Sequence, residues 1–402
     1  MNEGKTGAVG VAKFLLINYE YPPLGGGAGT ATREIARALA RQGHAAAVVT
    51  TQFKGQPAVE DDGGAAVYRL PARRRAQSTS APAEMLSFLA SALRRAPGIA
   101  NEFQPHAAIC FFSIPSGVAG LWLKKKLGLP YIVSLRGGDV PGFMPGAMAA
   151  THALTMPVTR MVWRNAAAVT ANSENLKQLA LRTMPDLDIP VIPNGVDTEK
   201  FHPVADREQS NTARTALFTG RLNEQKGLDI LVRALGRAHA DLPAGFRMIL
   251  AGGGPEQERL QTLARAHRVD GIVEFRGWVN PADIPGVYRE ADFFVLPSRD
   301  EGMPNAALEA LASGLPVVMT RIPGSEALVR NAENGALLPR AAGGGPDEEA
   351  LAQALRRFAS LPPEEHARMA AAARAQAMRF SWDSAANAMA RLCEQRMQHA
   401  QS

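Results

Sequence analysis

Pro297-Ser298-Arg299-Asp300-Glu301-Gly302-Met303-Pro304-Asn305-Ala306-Ala307-Leu308-Glu309-Ala310-Leu311-Ala312-Ser313-Gly314 follows the apolar run Phe293-Phe294-Val295-Leu296. The four-residue run reads as a buried strand. Pro304 suits the first turn of a helix, where its missing N–H would be unpaired in any case. Gly314 stands where a helix stop belongs. Glu301 is therefore expected in a strand-to-helix loop, and Glu309 about a turn and a half into the helix. Adjacent carboxylates suit acid/base work on one bond. Two carboxylates spread over roughly 10 Å, at about 1.5 Å per helical residue, suit polyol groups at opposite ends of one extended ligand, such as a nucleotide-sugar. Its diphosphate would lie over the helix N-terminus, where free N–H groups and the dipole favour an anion. A surface loop and an amphipathic helix with a solvated Glu309 would look the same locally, so the flanking chain has to discriminate.

Upstream, Ala216-Leu217-Phe218-Thr219 reads as a strand that ends in Gly220-Arg221-Leu222-Asn223-Glu224-Gln225-Lys226-Gly227, before a helix over 228–240. Arg221 and Lys226 thus lie in a loop before a helix N-terminus. Together they could clamp a diphosphate, Arg as a planar fork and Lys as a point charge. The chain has no clustered Asp/His set for a divalent ion, so no metal is expected. Fixed cations would then neutralise a departing nucleotide diphosphate. Two ordinary surface charges remain the alternative. Further strands are read at 248–251, followed by Gly252-Gly253-Gly254-Pro255 and a helix from Glu256, and at 272–275, followed by Arg276-Gly277-Trp278-Val279. The backbone at Gly277 could pair with a base edge; Trp278 would pack beside it or in the core. A strand at 316–319, a Gly-rich loop at 341–346 and two helices to about Arg379 complete this half. Phe380-Ser381-Trp382-Asp383 breaks the pattern before a last helix to about Met397.

The first half alternates in the same way. A strand at 11–18 runs into Tyr21-Pro22-Pro23-Leu24-Gly25-Gly26-Gly27-Ala28-Gly29, and a helix is expected from Thr30 to Arg41. Gly26 and Gly27 would bring bare backbone close to an anion or sugar. The G-x-G-x-x-G dinucleotide fingerprint is not met, because Thr30 and Thr32 stand where its third glycine belongs. Strands follow at 45–51, 65–70, 107–112, 131–135 and 166–170, with Val191-Ile192 as a last short one. An amphipathic helix over 83–95 would pack on the core or lie on a membrane. The strand at 131–135 ends in Arg136-Gly137-Gly138-Asp139. Open α/β sheets place ligands at such strand ends, which makes Asp139 and Arg136 site candidates. His106 reads as structural, and His152 has no pattern around it. Pro193-Asn194-Gly195-Val196-Asp197 and the polar stretch to Arg214 mark the domain boundary.

Whole-chain properties narrow the partners. The 402 residues suffice for two domains. Cys110 and Cys393 are the only cysteines, too few for a disulfide framework, so a reducing compartment is expected. Residues 1–10 lack the apolar core of a signal peptide, and no run approaches the 18 apolar residues that a membrane span requires. Residues 1–200 hold 21 Lys+Arg against 14 Asp+Glu, and the remainder 23 against 24. The excess includes Arg73-Arg74-Arg75, Arg94-Arg95 and Lys124-Lys125-Lys126. It fits an anionic membrane surface or a lipid-diphosphate acceptor, or else a solvated basic face. No aromatic-studded basic motif accompanies it, which argues against nucleic acid.

Gly220-Arg221-Leu222-x-x-x-Lys226-Gly227, the Gly252 to Pro255 loop, and Glu301-Gly302-x-Pro304 with seven residues between Glu301 and Glu309 resemble the retaining glycosyltransferases of family four. Pro193-Asn194-Gly195-Val196-Asp197 and the N-terminal Gly-rich loop match as well, so the resemblance covers nearly the whole chain. It implies an α/β fold of two facing Rossmann-like domains of GT-B type, with a C-terminal helix crossing back to the first. The expected divisions are 1–195, 205–379 and 380–402. It also implies roles. Arg221 and Lys226 would hold the donor diphosphate, Glu301 the sugar hydroxyls and Glu309 the ribose. The Gly302, Met303 and Asn305 backbone would sit over sugar and phosphate, and the Gly25 to Gly29 loop near diphosphate and acceptor. Many members carry His-Gly-x-Asp where this chain has Arg136-Gly137-Gly138-Asp139; Arg cannot act as a base, so the role of that His is either altered here or taken over by Arg136 as a fixed cation.

The expected activity is retaining, metal-independent transfer of a sugar, from a nucleotide-sugar that is UDP-linked, to a saccharide or lipid-linked saccharide acceptor in bacterial surface polysaccharide synthesis. The expected location is cytoplasmic, at the inner face of the membrane. An epimerase or hydrolase of the same fold would turn over donor without acceptor. A nucleotide-sugar-binding protein would not turn it over at all.

Overall fold

A computed structural model describes residues 11–77, 80–204, 214–342 and 344–401. Residues 1–10, the expected domain start at 205 and Gly343 of the Gly-rich loop lie outside them. Two α/β units divide the chain: Met1–Gly195 with Trp382–Ser402, and Val196–Ser381.

The first unit runs β1 (Lys13–Ile17), α1 (Gly27–Arg41), β2 (Ala45–Thr51), β3 (Val59–Asp62), β4 (Ala65–Leu70), α2 (Pro82–Phe103), β5 (Ala107–Phe111), α3 (Val118–Leu127), β6 (Tyr131–Leu135), α4 (Pro145–Asn165), β7 (Ala168–Ala171) and α5 (Glu174–Thr183). Its sheet order is β3-β4-β2-β1-β5-β6-β7. Both faces of β1 are covered. Leu15 and Ile17 enter one core with Phe88 and Trp163, and Phe14 and Leu16 enter another with Ile35 and Met389. This is why parallel strands here read as unbroken apolar runs rather than alternating ones.

Several expectations shift. Helix α1 begins at Gly27, three residues before Thr30, so the end of the Gly-rich stretch is helical. Helix α2 continues past Arg95 through Pro97 to Phe103, because Ala96, Pro97 and Ala100 are buried and packing outweighs the proline. Strand β3 was not foreseen; it pairs antiparallel with β4 across Gly63-Gly64, both at positive φ, which a tight hairpin turn needs. The last strand is displaced to Ala168–Ala171, and Val191 adds only a single bridge to Ala171.

The second unit runs β8 (Thr215–Thr219), α6 (Leu228–Ala238), β9 (Arg247–Ala251), α7 (Gln257–Ala266), β10 (Val273–Gly277), α8 (Ile284–Arg289), β11 (Phe293–Leu296), α9 (Asn305–Ala312), β12 (Val317–Thr320), β13 (Gly335–Leu338), α10 (Glu348–Ala359) and α11 (Pro363–Ala377). The all-parallel sheet has the order β10-β9-β8-β11-β12-β13. Winding reverses between β8 and β11, the place where open sheets leave a crevice beyond the strand ends. Residues 196–204 belong to this unit. Val196 N–H donates to the Phe380 carbonyl at 3.1 Å, and the Arg374 guanidinium donates to the carbonyls of Thr198, Phe201 and Ala312.

The last helix, α12 (Trp382–Gln401), packs against α1 of the first unit. Trp382, Ala386, Met389 and Ala390 share its core with Ile35 and Leu39. Arg41 Nη2 lies 2.6 Å from Asp383 Oδ1.

Candidate functional site

In the second unit the loops after β8 and β11 are sewn together. Arg299 N–H donates to the Gln225 carbonyl at 2.8 Å, and the Gln225 side chain donates to the Asp300 carbonyl at 2.8 Å. Arg299 forks onto Asp229, Nη1 to Oδ1 at 3.0 Å and Nη2 to Oδ2 at 2.9 Å. Burial alone would raise the Asp229 carboxyl; the hydrogen bonds from Arg299 and the charges of Arg299 and Arg233 outweigh it and hold Asp229 below the usual carboxylate range. Gly227 makes the closest approach. It has φ +63, and a Cβ there would stand 2.1 Å from the Pro297 carbonyl oxygen.

That stitching brings Lys226 to Glu301. Lys226 Nζ donates to Glu301 Oε1 at 2.6 Å, and Ser298 Oγ donates to the same oxygen at 2.6 Å. Glu301 is 6% exposed. Arg221 follows β8 in the same loop, partly exposed. Gly302 and Met303 precede α9, and Asn305 is its first residue. Pro304 is the N-cap rather than the first helical residue, with a φ of −76 and ψ of 106. It therefore still initiates the helix while supplying no N–H.

Glu309 sits in the second turn of α9. Tyr288, fully buried on α8, donates its hydroxyl to Glu309 Oε2 at 2.9 Å and lies 2.6 Å from Thr219 Oγ1. Burial raises the Glu309 carboxyl above its ordinary value, an effect that the Tyr288 hydrogen bond and the Lys200 charge only partly offset. The solvated Glu309 of an ordinary surface helix is thus not what the structure has. Burial also pushes the Tyr288 phenol well above its usual range. Glu301 and Glu309 are consequently held in separate polar clusters on one loop-helix element.

Two expectations at the edge of this sheet are narrowed. The Gly277 carbonyl is already paired, accepting from Gly252 N–H at 2.7 Å, so its acceptor is directed at the neighbouring loop. Trp278 is 65% exposed and takes no part in the core.

In the first unit, Gly26 is the exposed N-cap of α1 and Gly27 its first residue. Buried Asn18, at the end of β1, donates to Thr32 Oγ1 at 2.7 Å and to the Ala28 carbonyl at 3.3 Å, while its Oδ1 accepts from Glu20 N–H. Asn18 thereby ties the Gly-rich turn to the helix. The Asp139 carboxylate is consumed by its own surroundings. Oδ2 accepts from Ser113 N–H and Oγ–H at 2.8 and 3.0 Å, and Oδ1 from Arg136 N–H and Gly137 N–H, both at 3.1 Å. It therefore acts as a loop-positioning group; a catalytic role for it has no geometric support. Arg136 Nη1 donates to Asn194 Oδ1 at 2.7 Å, and its guanidinium carbon lies 4.6 Å from the Phe111 ring centre. His106 Nδ1 accepts from Lys13 N–H at 3.1 Å, a structural role. His152 is buried, with Nε2 donating to the Gly138 carbonyl at 2.8 Å.

Ser298, Tyr288, Thr219, Asn18 and Asn194 were not foreseen. Ser298 carries a local signal, directly after a strand and three residues before Glu301. Tyr288 has none, because its partners lie in two other segments.

Comparison with known proteins follows the two units. The family model described as glycosyl transferase 4-like domain matches residues 26–195, and that described as glycosyl transferases group 1 matches residues 213–360. The chain is 30% identical over 395 residues to a D-inositol 3-phosphate glycosyltransferase of Xylanimonas cellulosilytica, covering 90% of each chain. It is 27% identical over 403 residues to a glycogen synthase of Mycobacterium tuberculosis, covering 94% of each. Among solved structures it is similar in fold to a sucrose-phosphate synthase from Thermosynechococcus elongatus, with a TM-score of 0.82, 22% identity, and 97% of this chain and 100% of that one covered. An Anabaena protein, HepE, solved in complex with UDP and glucose, matches with a TM-score of 0.72 and 20% identity over 94% of this chain and 98% of its own. With both parallel-sheet units matched and near-complete coverage of a relative at 30% identity, this chain belongs to glycosyltransferase family four, the glycosyl transferases group 1, and has the GT-B fold.

Proposed function

We propose that the protein transfers a sugar, with retention and without a metal ion, from a UDP-linked donor to a saccharide or lipid-linked saccharide acceptor. The observation that carries this reading is the contact of Lys226 with Glu301 beside the N-terminus of α9, at the winding reversal of the sheet. Bond breaking between the anomeric carbon and the donor phosphate leaves negative charge on the diphosphate. An ammonium has three N–H groups; one holds Glu301, and the other two are available to phosphate oxygens. Arg221 and the α9 N-terminus add to the same field. Glu301, pinned by Ser298 and Lys226, would orient sugar hydroxyls, and Glu309, pinned by Tyr288, the ribose. The acceptor oxygen would bond to the anomeric carbon on the face that the phosphate leaves, and its proton would pass to a phosphate oxygen. The UDP assignment draws support from the fold neighbour HepE, solved in complex with UDP and glucose.

A cytoplasmic site at the inner membrane face is part of this proposal. Cys110 and Cys393 are buried free thiols. Leu154, Val158 and Met161 lie exposed at helical spacing on α4, with Arg160 and Arg164 among them. On α3, Trp122 and Leu127 are partly exposed and Lys124-Lys125-Lys126 form its last turn. Apolar side chains among cations are the chemistry an anionic lipid surface accepts. Among the described residues no helix is long and apolar enough to cross a membrane. A role in surface polysaccharide synthesis rests on the family resemblance alone.

A thermal-shift screen of UDP-, GDP- and ADP-sugars tests the donor, since a ligand that binds the folded state raises its melting point. Glu301→Gln is expected to lower kcat by about 100-fold or more while changing UDP affinity less than about threefold. Turnover equal to wild type would remove Glu301 from the site. Turnover that proceeds without acceptor would favour the hydrolase or epimerase reading.

A further inference from the structure

The Arg136 side chain has a use that loop structure does not explain. Its Nη1 is pinned to Asn194 Oδ1 at 2.7 Å, and the guanidinium rests on the Phe111 ring at 4.6 Å. Its other two nitrogens, Nε and Nη2, are buried and have no hydrogen-bond partner among the described residues. These are not two arbitrary donors. In a guanidinium with Nη1 on the Cδ side, Nε–H and Nη2–H point the same way and form one side-on fork, the edge that matches the two oxygens of a carboxylate or phosphate. The neighbouring acid does not answer it, because all four hydrogen bonds on the Asp139 carboxylate come from Ser113, Gly137 and the Arg136 backbone N–H.

Leaving such donors unpaired is costly, more so when the group is charged. Burial lowers the guanidinium to about 9, with only the Asp139 charge opposing. Among the described residues no carboxylate oxygen is hydrogen-bonded to the Nε–Nη2 edge. Placement agrees: Arg136 directly follows β6, whose C-terminal end lies beside those of β5 and β7 in the sheet. The residue as a whole is partly exposed; receiving a ligand requires the planar group to shift so that the buried fork is presented.

We propose that Arg136 receives an oxyanion, a carboxylate or phosphate, carried by the saccharide part of a substrate, so that the enzyme selects a charged sugar over its neutral parent. This rests on the reading of the protein as a nucleotide-sugar transferase and names the substrate class of that site. The charge could belong to the donor sugar or to the acceptor, and two arms of one experiment separate them.

Calorimetry on the full chain first identifies which of UDP, GDP and ADP binds. In the donor arm, the glucuronic acid and glucose derivatives of that nucleotide are compared. In the acceptor arm, glucuronic acid and glucose 6-phosphate are compared with glucose in the presence of the nucleotide. The readout is the ratio of charged to neutral affinity, taken within each variant, with the melting curve recording folding. One arm is expected to show a preference of about tenfold or more in wild type. That preference should disappear in Arg136→Gln. It should return only in part in Arg136→Lys, which restores the charge without the planar fork. A protein that binds nucleotide but shows no charged preference in either arm overturns the Arg136 assignment alone, as does a preference that survives Arg136→Gln. If no nucleotide binds, the functional reading falls and this proposal with it.

Discussion

Glu309 shows how much a single position owes to its neighbours. Its ionised form is disfavoured by burial, and the Tyr288 hydroxyl and the Lys200 charge repair that only in part. The folded carboxyl therefore titrates above its ordinary value of 4.5, so the native state binds more protons than the unfolded chain through that window. Stability from this group is fully present below the ordinary value and is lost as pH rises through the raised one. Glu309→Gln removes the titration. The melting temperature of the variant relative to wild type is expected to rise between pH 4 and pH 8, read from thermal melts in matched ionic strength. A difference that is flat or falls across that range would contradict the burial assigned to Glu309. Local sequence made Glu309 a candidate by its spacing from Glu301, but its partner Tyr288, and the Thr219 that Tyr288 also meets, come from α8 and β8, which no local pattern announces.

At the scale of elements, the working unit is a pair of loops rather than either loop. Those after β8 and β11 are 75 residues apart at their Lys226–Glu301 contact, and they meet because β8 and β11 are adjacent in the sheet. The Arg299–Asp229 fork and the close approach of Gly227 hold them there. Asp229→Ala leaves the partly buried Arg299 without its counter-charge. A loss of about 3 kcal/mol is expected by urea denaturation, together with a kcat/KM loss of about tenfold or more as Lys226 drifts from Glu301. Full activity at reduced stability would separate the fork from the site. Element boundaries were the least legible feature. Helix α1 begins inside the Gly-rich stretch and α2 ignores Pro97, because burial against the sheet decides both.

Across the molecule, the charge is asymmetric: the basic excess falls in residues 1–200, and α3 and α4 of the first unit add exposed apolar side chains to it. The protein is expected to float with liposomes containing anionic phospholipid at low salt and to be released at high salt, because the attraction is screened within about 10 Å at 0.1 M ionic strength. Leu154→Glu with Met161→Glu is expected to weaken flotation at low salt without altering the melting temperature by more than about 2 °C, since Leu154 is 82% exposed and surface changes cost little. Failure to float at low salt would remove the membrane from the proposal.

Most of the strands, the presence of two α/β units and the spacing of Arg221, Lys226, Glu301 and Glu309 were legible in the chain itself, because buried parallel strands leave apolar runs and tight loops demand glycine; β3, β13 and α8 were not. The tertiary structure alone decided which of these residues meet. It placed β11 beside β8 and so closed Lys226 onto Glu301. It committed the Asp139 carboxylate to three backbone N–H groups and the Ser113 hydroxyl, and among the described residues left one edge of Arg136 unpaired. Hydrogen bonds between segments far apart in the chain depend on strand order, and strand order is a property of the assembled sheet that no local pattern encodes.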